Sequence, residues 1–294
     1  MSAKGASLTG RDLAVTCDVY KYRYLSASQI RRLHFPSLQT AWRRLRALTE
    51  AGYLSSFTVP NVPERIFYLE NKGAEAVAAQ LGVDVTDLGW SRTSHRPKDY
   101  YFIRHFLQTS DFRITLTQAA ENSAVRLLGF ITEYVGERNG RGAVKKYIRD
   151  VVCDVTDPAA KISHTPDAVF ALERGGTPAL FFLEIDRGTE VVSDEEKGVL
   201  KCVRFYASLL LGGGYQRYRE DFRCGTFKGF RALIVTTSEA RVNNIRRATG
   251  RLQVDPKARR FIWLTESHRI GTGSIFQPLW LSADAADDHV YHIG

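Results

Sequence analysis

Hydrophobic residues between positions 8 and 82 recur first at helical spacing and then in the alternation that is typical of strands. The pattern predicts, in order, a helix over about 10–22, a helix that ends at Pro36, a helix capped by Ser37, strand-like runs at Tyr53–Thr58 and Arg65–Leu69, and a short helix over Gly73–Leu81. Three helices followed by a two-stranded wing are the plan of a winged helix-turn-helix. We therefore expect residues 8–82 to form a domain of this kind.

The third of these helices has one apolar face and one polar face. Its apolar residues, Leu38, Trp42, Leu45 and Leu48, recur at three- and four-residue steps. In a winged helix this element presents its polar side chains to the major groove of DNA. The polar face here holds Gln39, Thr40, Arg43, Arg44 and Arg46. Two alternatives stay open, namely a face that is only solvated and a winged helix that contacts protein.

The polar residues 83–98 are predicted to link this domain to a second one over residues 99–285. The second domain is predicted to contain a helix, three strands, a helix and two further strands, at about Asp99–Glu121, Val125–Val135, Pro166–Glu173, Ala179–Asp186, Ser193–Leu211, Arg231–Thr237 and Arg260–Thr265. Three strands in succession exclude a simple strand–helix repeat and favour a mixed sheet. The expected fold class is therefore α/β, of the α+β type.

Two acidic residues of the second domain are predicted to face each other across a hairpin. Gly175-Gly176 favours a tight turn, and the resulting register places Asp167 opposite Glu184, with Asp186 on the same face. Opposed carboxylates repel unless a cation lies between them or one is protonated. Mg²⁺ and Mn²⁺ are the ions that such oxygen ligands favour. The alternative is that Asp186 begins a surface loop and Asp167 accepts a backbone hydrogen bond.

The composition favours a polyanionic partner. The 294 residues include 41 Lys and Arg against 32 Asp and Glu, which gives a net charge of +9 and a pI of about 9.4. The four cysteines lack the spacing of a metal site, the apolar runs are too short to cross a membrane, and the N-terminus has no secretion signal. We expect a cytoplasmic protein with double-stranded DNA as its partner and no membrane association.

The acidic residues and their neighbours resemble the signature of the PD-(D/E)xK nucleases. Pro166-Asp167 corresponds to the first part of the signature, and Glu184-Ile185-Asp186 corresponds to the second part. The resemblance implies a restriction-endonuclease-type mixed sheet in which Asp167 and Glu184 bind the metal. Asp186 stands where these nucleases have lysine. Some members of the superfamily take that lysine from the following helix, where this chain has Lys197 and Lys201.

A longer set of motifs resembles the replication-relaxation family of bacterial plasmids and mobile elements. The motifs are Thr165–Phe170, Phe182–Glu190, Leu233–Ser238 with Arg241, Phe276–Trp280, and the His34-Phe35-Pro36 that precedes the third helix. Together they extend over about Gly10 to Leu281. The resemblance implies a DNA-binding protein of plasmid or mobile-element replication or relaxation.

Three functions stay open at this point. The first is a metal-dependent DNA endonuclease or nickase in which Asp167 and Glu184 hold Mg²⁺ or Mn²⁺, Asp186 supports the metal or its water, and Lys197 or Lys201 stabilises charge. The second is a non-catalytic DNA-binding replication or transcription factor whose nuclease-like domain is a scaffold. The third is an assembly subunit that forms a homodimer and recruits replication or transfer machinery.

Overall fold

The computed structural model describes residues 8–60, 62–92, 100–138, 144–189, 192, 194 and 197–294. Residues 93–98 of the predicted linker, Asp99, Glu190 and Ser193 lie outside this part. The chain forms two compact units, Met1–Ile114 and Thr115–Gly294. Their helices and their sheets of mixed strand direction confirm the α+β fold class. The domain ranges 8–82 and 99–285 stay predictions.

The first unit contains helices around a small antiparallel sheet. Its elements are α1 (Gly10–Tyr22), β1 (Leu25–Ser26), α2 (Ala27–His34), α3 (Leu38–Glu50), β2 (Leu54–Phe57), β3 (Ile66–Leu69), α4 (Asn71–Leu81) and the first part of α5 (Tyr100–Glu121). The strand order is β1-β3-β2. The sequence pattern missed β1, because a strand of two residues shows no alternation.

Side-chain caps determine where the helices of the first unit begin. Thr9 caps α1 through a capping box with Asp12, and Ser26 caps α2 in the same way with Gln29. Ser37 caps α3 by accepting a hydrogen bond from the backbone N–H of Thr40. Each cap satisfies an N–H that would otherwise have no partner at the start of its helix.

The core of the first unit contains most of the residues that the apolar pattern selects. Leu45 and Leu48 of α3 are buried, and Trp42 packs edge-on against Phe67 of β3 with their ring centroids 5.9 Å apart. Burying one such side chain stabilises the fold by about 1.5–3 kcal/mol. Leu38 differs from the expectation, since it begins α3 and is 40% exposed.

The second unit contains the remaining helices and a seven-stranded sheet. Its further elements are β4 (Val125–Thr132), β5 (Gly136–Arg138), β6 (Val144–Lys146), β7 (Asp150–Cys153), β8 (Lys161–His164), β9 (Ala168–Arg174), β10 (Thr177–Ile185), α6 (Gly198–Gly212), α7 (Tyr218–Asp221), β11 (Phe230–Thr236), α8 (Glu239–Thr249), α9 (Pro256–Arg259), β12 (Ile262–Glu266), β13 (Trp280–Ser282) and β14 (Val290–Tyr291).

The large sheet has the order β14-β13-β12-β11-β10-β9-β4. β10, β11 and β12 are parallel, and the other pairings are antiparallel. The structure adds strands that the pattern does not predict. The hairpins β5–β6 and β7–β8 form two separate sheets between the first and second predicted strands, and β12 is followed by two more strands of the large sheet. These extra strands have two to four residues each, which is too short for a clear alternating pattern.

One face of the large sheet packs against α6 and α8. Phe182 of β10 lies at the centre of an aromatic cluster with Tyr206 of α6, Tyr218 of α7 and Phe230 of β11, at centroid distances of 5.3, 5.5 and 4.8 Å. All four side chains are buried. This packing holds α6 directly over β10, so that α6 side chains can reach the carboxyl end of that strand.

The hairpin between β9 and β10 has the register that Gly175-Gly176 predicts. Arg174 pairs with Thr177, and the pairing continues unbroken to Ala168 and Leu183. Both glycines have positive φ, 56° and 76°, as a two-residue turn of this kind requires. The paired residues end there, and the backbone N–H of Asp167, one residue before β9, donates to Leu183. The direct opposition of Asp167 and Glu184 stays a prediction.

Replacing Gly176 by alanine tests this turn. We expect Gly176→Ala to lower the free energy of unfolding by about 1 kcal/mol, because a Cβ is disfavoured at positive φ. Urea unfolding measures the loss. The control is Gly225→Ala, since Gly225 has no positive φ and an added Cβ meets no atom within 4 Å. An equal loss of unfolding free energy in the two variants would contradict the assigned turn.

Candidate functional site

The predicted acidic residues lie together where β9 begins and β10 ends. The backbone N–H of Asp167 donates to the carbonyl of Leu183 at 3.0 Å, and that of Asp186 donates to Val235 of β11 at 2.9 Å. Glu184 lies between these two points on β10. The structure therefore brings Asp167, Glu184 and Asp186 to one region of the sheet.

Glu184 is held by side chains from two other elements. The Nε2 of His164, at the end of β8, lies 2.7 Å from Glu184 Oε1, and the hydroxyl of Tyr206 on α6 donates to the same oxygen. The Glu184 side chain is only 15% exposed. The Sγ of Cys202 on α6 and ligand atoms of His164 and Glu184 all lie within 4.8 Å of one another.

His164 and Glu184 form a buried, coupled pair. Burial alone would lower the pKa of His164, but the charges of Glu184 and Asp167 and the hydrogen bond to Glu184 outweigh it, so that this pKa is raised. Burial raises the pKa of Glu184, against the opposing effects of His164 and Tyr206. In its protonated form, the His164 imidazole places a cation beside the Glu184 carboxylate.

Asp186 is neutralised by an arginine. Arg241 of α8 donates to Asp186 through Nε at 2.8 Å and Nη2 at 3.0 Å, and the hydroxyl of Thr236 donates at 2.8 Å. Burial would raise the pKa of Asp186, but the hydrogen bonds from Arg241, Thr236 and the Gly188 N–H lower it below its ordinary value. Asp186 is therefore a charged, buried ion-pair partner in the place where the nuclease signature has lysine.

Asp167 and the neighbouring Glu133 also have protein donors. The backbone N–H of Ile185 donates to Asp167 Oδ2 at 2.6 Å. A carboxylate oxygen of Glu133 lies within 4.8 Å of one on Asp167. Lys146 of β6 forms an ion pair with Glu133, and the hydroxyl of Tyr134 donates to it at 2.5 Å. Every acid in this cluster therefore accepts a hydrogen bond from the protein.

The two candidate lysines differ in position. Lys201 is half-buried on α6, and its charge acts to lower the pKa of His164, so that it lies near the cluster. Lys197 is exposed just before α6, and its backbone N–H donates to Asp194. Among the described residues, no contact joins Lys197 to the acids.

The sequence pattern did not select the donors that neutralise the acids. His164 and Lys146 lie outside every predicted element, and nothing in the sequence pairs Tyr206 or Arg241 with an acid. Each of them lies on a different element from the acid that it contacts. The repulsion predicted between Asp167 and Glu184 indicates that a positive charge lies near them. It does not indicate which residue carries that charge.

The predicted DNA-binding residues of α3 fall into two groups, those that contact other protein side chains and those that are exposed. Arg44 is turned inward and forms a two-point ion pair with the buried Asp12 of α1, with Nε 2.6 Å from Oδ1. Thr40 contacts the Ser37 cap, and Arg46 pairs with Glu50 one turn later. Arg43 and Gln39 are exposed, and neither has a side-chain partner among the described residues.

A groove lies between α3 and the β2–β3 hairpin. Its volume is about 760 Å³, and its lining includes three arginines, Arg43, Arg46 and Arg65, together with Trp42 and Phe67. Glu50 also lines it and neutralises Arg46. Arg65 stands at the start of β3 and donates weakly to Ser56 at 3.4 Å. The groove therefore combines positive charge with an apolar floor.

Residues 17–223 match the family model described as replication-relaxation. The chain belongs to the replication-relaxation family. The match includes α2, α3, the β9–β10 hairpin and α6 of this replication-relaxation protein. It ends before Leu233–Ser238, Arg241 and Phe276–Trp280, so those motifs lie outside the matched residues. No curated protein and no solved structure matched the chain.

Membership in the replication-relaxation family indicates a role in plasmid or mobile-element replication or relaxation, and hence involvement with DNA and replication machinery. Among the described helices, none is long and apolar enough to cross a membrane.

The contacts of Glu184 fit Mg²⁺ or Mn²⁺ poorly. Hard divalent ions favour a shell of carboxylate, water and phosphate oxygens. Glu184 of this replication-relaxation protein instead faces an imidazole nitrogen, a phenol and a thiol. A hard ion bound to Oε1 of Glu184 would therefore compete with His164 and Tyr206, which both contact that oxygen.

The Asp186–Arg241 pair gives a test of the neutralised cluster. Both side chains are largely buried, so Arg241→Ala should lower the free energy of unfolding by about 3 kcal/mol at neutral pH. The charged Asp186 contributes fully to the free energy of unfolding above the ordinary aspartate pKa near 3.9. This contribution is lost as the pH falls through the lower pKa that Asp186 has in the folded protein. Urea unfolding of wild type and variant at several pH values measures it.

The difference in the free energy of unfolding between wild type and Arg241→Ala should therefore become smaller as the pH is lowered below about 4. Arg247→Ala, on an exposed position of the same helix, is the control and should change stability by less than about 0.5 kcal/mol. A constant difference across the pH range would rule out the ion pair as its cause.

Arg44 gives a second stability test. Because its loss leaves the Asp12 carboxylate buried without its cation, Arg44→Ala should lower the free energy of unfolding by about 1–3 kcal/mol. Arg43→Ala, one position earlier and exposed, should change it by less than about 0.5 kcal/mol. Urea unfolding of the two variants compares them, and equal effects would show that Arg44 does not act through Asp12.

Proposed function

We propose that this protein is a DNA-binding factor of plasmid or mobile-element replication or relaxation. On this proposal, the first unit binds double-stranded DNA, and the nuclease-like acids of the second unit do not cleave it. Family membership supplies the general role. The observation that carries DNA binding is the groove beside α3, with its three arginines.

The groove suits a DNA backbone for electrostatic and geometric reasons. Arg43 lies on α3 and Arg65 on the adjoining hairpin, so that they flank the groove from two elements. Cationic side chains bind phosphate without reading sequence. Gln39, exposed near the start of α3, is the candidate for a base-edge contact, because an amide can pair with adenine in the major groove. Three helices followed by a hairpin resemble the element order of a winged helix, a motif whose third helix enters the major groove.

Removing the two flanking arginines tests DNA binding. Arg43→Ala combined with Arg65→Ala should weaken binding to duplex DNA at least tenfold at about 0.1 M salt, and should reduce the slope of log affinity against log salt by about two. Fluorescence anisotropy at several salt concentrations measures both quantities.

The matched control removes two charges elsewhere. Arg219 and Arg251 are both exposed residues of the second unit, so Arg219→Ala with Arg251→Ala lowers the net charge equally. We expect this control to retain wild-type affinity and salt dependence. Equal weakening in the two double variants would mean that net charge, and not the groove, determines binding.

The proposal that the acids do not cleave DNA rests on their partners. His164, Arg241 and Lys146 supply positive charge to Glu184, Asp186 and Glu133. An ion that activates water must instead bind to these oxygens and keep a position open for that water. A carboxylate that already accepts from two side chains is a poor ligand for this task.

A metal-dependent nickase is the second candidate, supported by the nearness of Asp167 to Glu184 and of Lys201 to His164. The two candidates differ in a nicking assay on supercoiled plasmid with Mg²⁺ or Mn²⁺. We expect wild type to show no more nicking than Glu184→Gln, which keeps the size of the side chain and removes its charge. Nicking by wild type that Glu184→Gln abolishes would establish the nickase instead.

A further inference from the structure

Three potential metal ligands of different chemistry converge beneath the acidic cluster. They are an imidazole nitrogen of His164, a carboxylate oxygen of Glu184 and the thiol sulfur of Cys202, whose ligand atoms all lie within 4.8 Å of one another. No sequence motif predicts this set, because 20 residues separate His164 from Glu184 and none of the cysteines has metal-site spacing. The fold alone brings them together.

The ligand set has a clear chemical preference. Nitrogen, sulfur and a single carboxylate oxygen are the ligands of Zn²⁺ and related transition metals, which bind thiolate and imidazole more strongly than hard ions do. Mg²⁺ and Ca²⁺, in contrast, take oxygen ligands. A fourth position in a tetrahedral site can be filled by water or by a nearby carboxylate such as Asp167.

The three ligands are held by rigid elements and by their surroundings. His164 ends β8, Glu184 lies on β10 and Cys202 on α6. The His164 ring packs against Phe205 and Tyr206, at centroid distances of 5.2 and 5.8 Å, which fixes its orientation. The Tyr206 hydroxyl donates to Glu184, and a hydrogen bond of this kind orients a metal-binding carboxylate. Cys202 is buried, whereas His164 retains 22% exposure as a route for entry.

We propose that His164, Glu184 and Cys202 form a binding site for Zn²⁺ or a similar transition-metal ion. On binding, the Cys202 sulfur gives up its proton to solvent and the ion takes the place of the proton between His164 and Glu184. The ion would tie the β7–β8 hairpin to β10 and α6. This site does not depend on DNA cleavage or on DNA binding, so the proposal stands apart from the proposed function.

Cobalt titration of the full chain tests the proposal directly. Co²⁺ occupies zinc sites, and a cysteine thiolate bound to it produces a charge-transfer absorption band in the near ultraviolet. We expect wild type to show this band, to saturate at one equivalent of Co²⁺ per chain, and to lose the band when Zn²⁺ is added. A large excess of Mg²⁺ should leave the band unchanged. Absence of the band in wild type would overturn the proposal.

Cysteine variants identify the sulfur. Cys202→Ser should abolish the band, whereas Cys153→Ser, at an exposed position of the same unit, should retain it. His164→Gln is the second variant, and it should weaken cobalt binding at least tenfold even if Cys202→Ser does not fold. A band that persists in Cys202→Ser, or cobalt affinity that is unchanged in His164→Gln, would assign the metal to other residues and overturn the proposed site.

Discussion

The arrangement of the second unit depends on the neutralisation of carboxylates that the β9–β10 hairpin forces together. Asp167 lies one residue before β9, and its charge acts on Glu184 near the end of β10; Asp186 follows directly after β10. Such acids repel strongly in a buried setting. The protein relieves this repulsion with its own donors, chiefly His164 on Glu184 and Arg241 on Asp186.

This neutralisation connects structure to function. A nuclease site leaves its acids available to a hard metal ion, whereas here each acid already accepts from a side chain or a backbone N–H. The same donors, an imidazole and a nearby thiol, suit a softer ion. On the proposed function, the acidic cluster holds β8, β10 and α6 together and does not activate water, and the groove beside α3 binds DNA.

The parts that the sequence predicts are those governed by local rules. Gly175-Gly176 determines the hairpin turn and hence brings Asp167 and Glu184 to the same end of the hairpin. The apolar periodicity of α3 identifies its buried face. Contacts between residues that are far apart in the sequence could not be predicted. Arg44 lies on the polar face of α3 yet pairs with Asp12, because a buried carboxylate on α1 faces it. His164 belongs to β8, a four-residue strand without a recognisable pattern, and so its contact with Glu184 appears only in the fold.

The protonation of His164 tests the central claim most directly. Its imidazole can be followed by NMR through a pH titration of metal-free protein, and His164→Gln identifies its signal. Because Glu184 and Asp167 raise its pKa, we expect His164 to titrate above the ordinary value of about 6.5 and to be unaffected by millimolar Mg²⁺. A midpoint at or below that value, or a signal displaced by Mg²⁺, would show that a protein cation does not neutralise these acids.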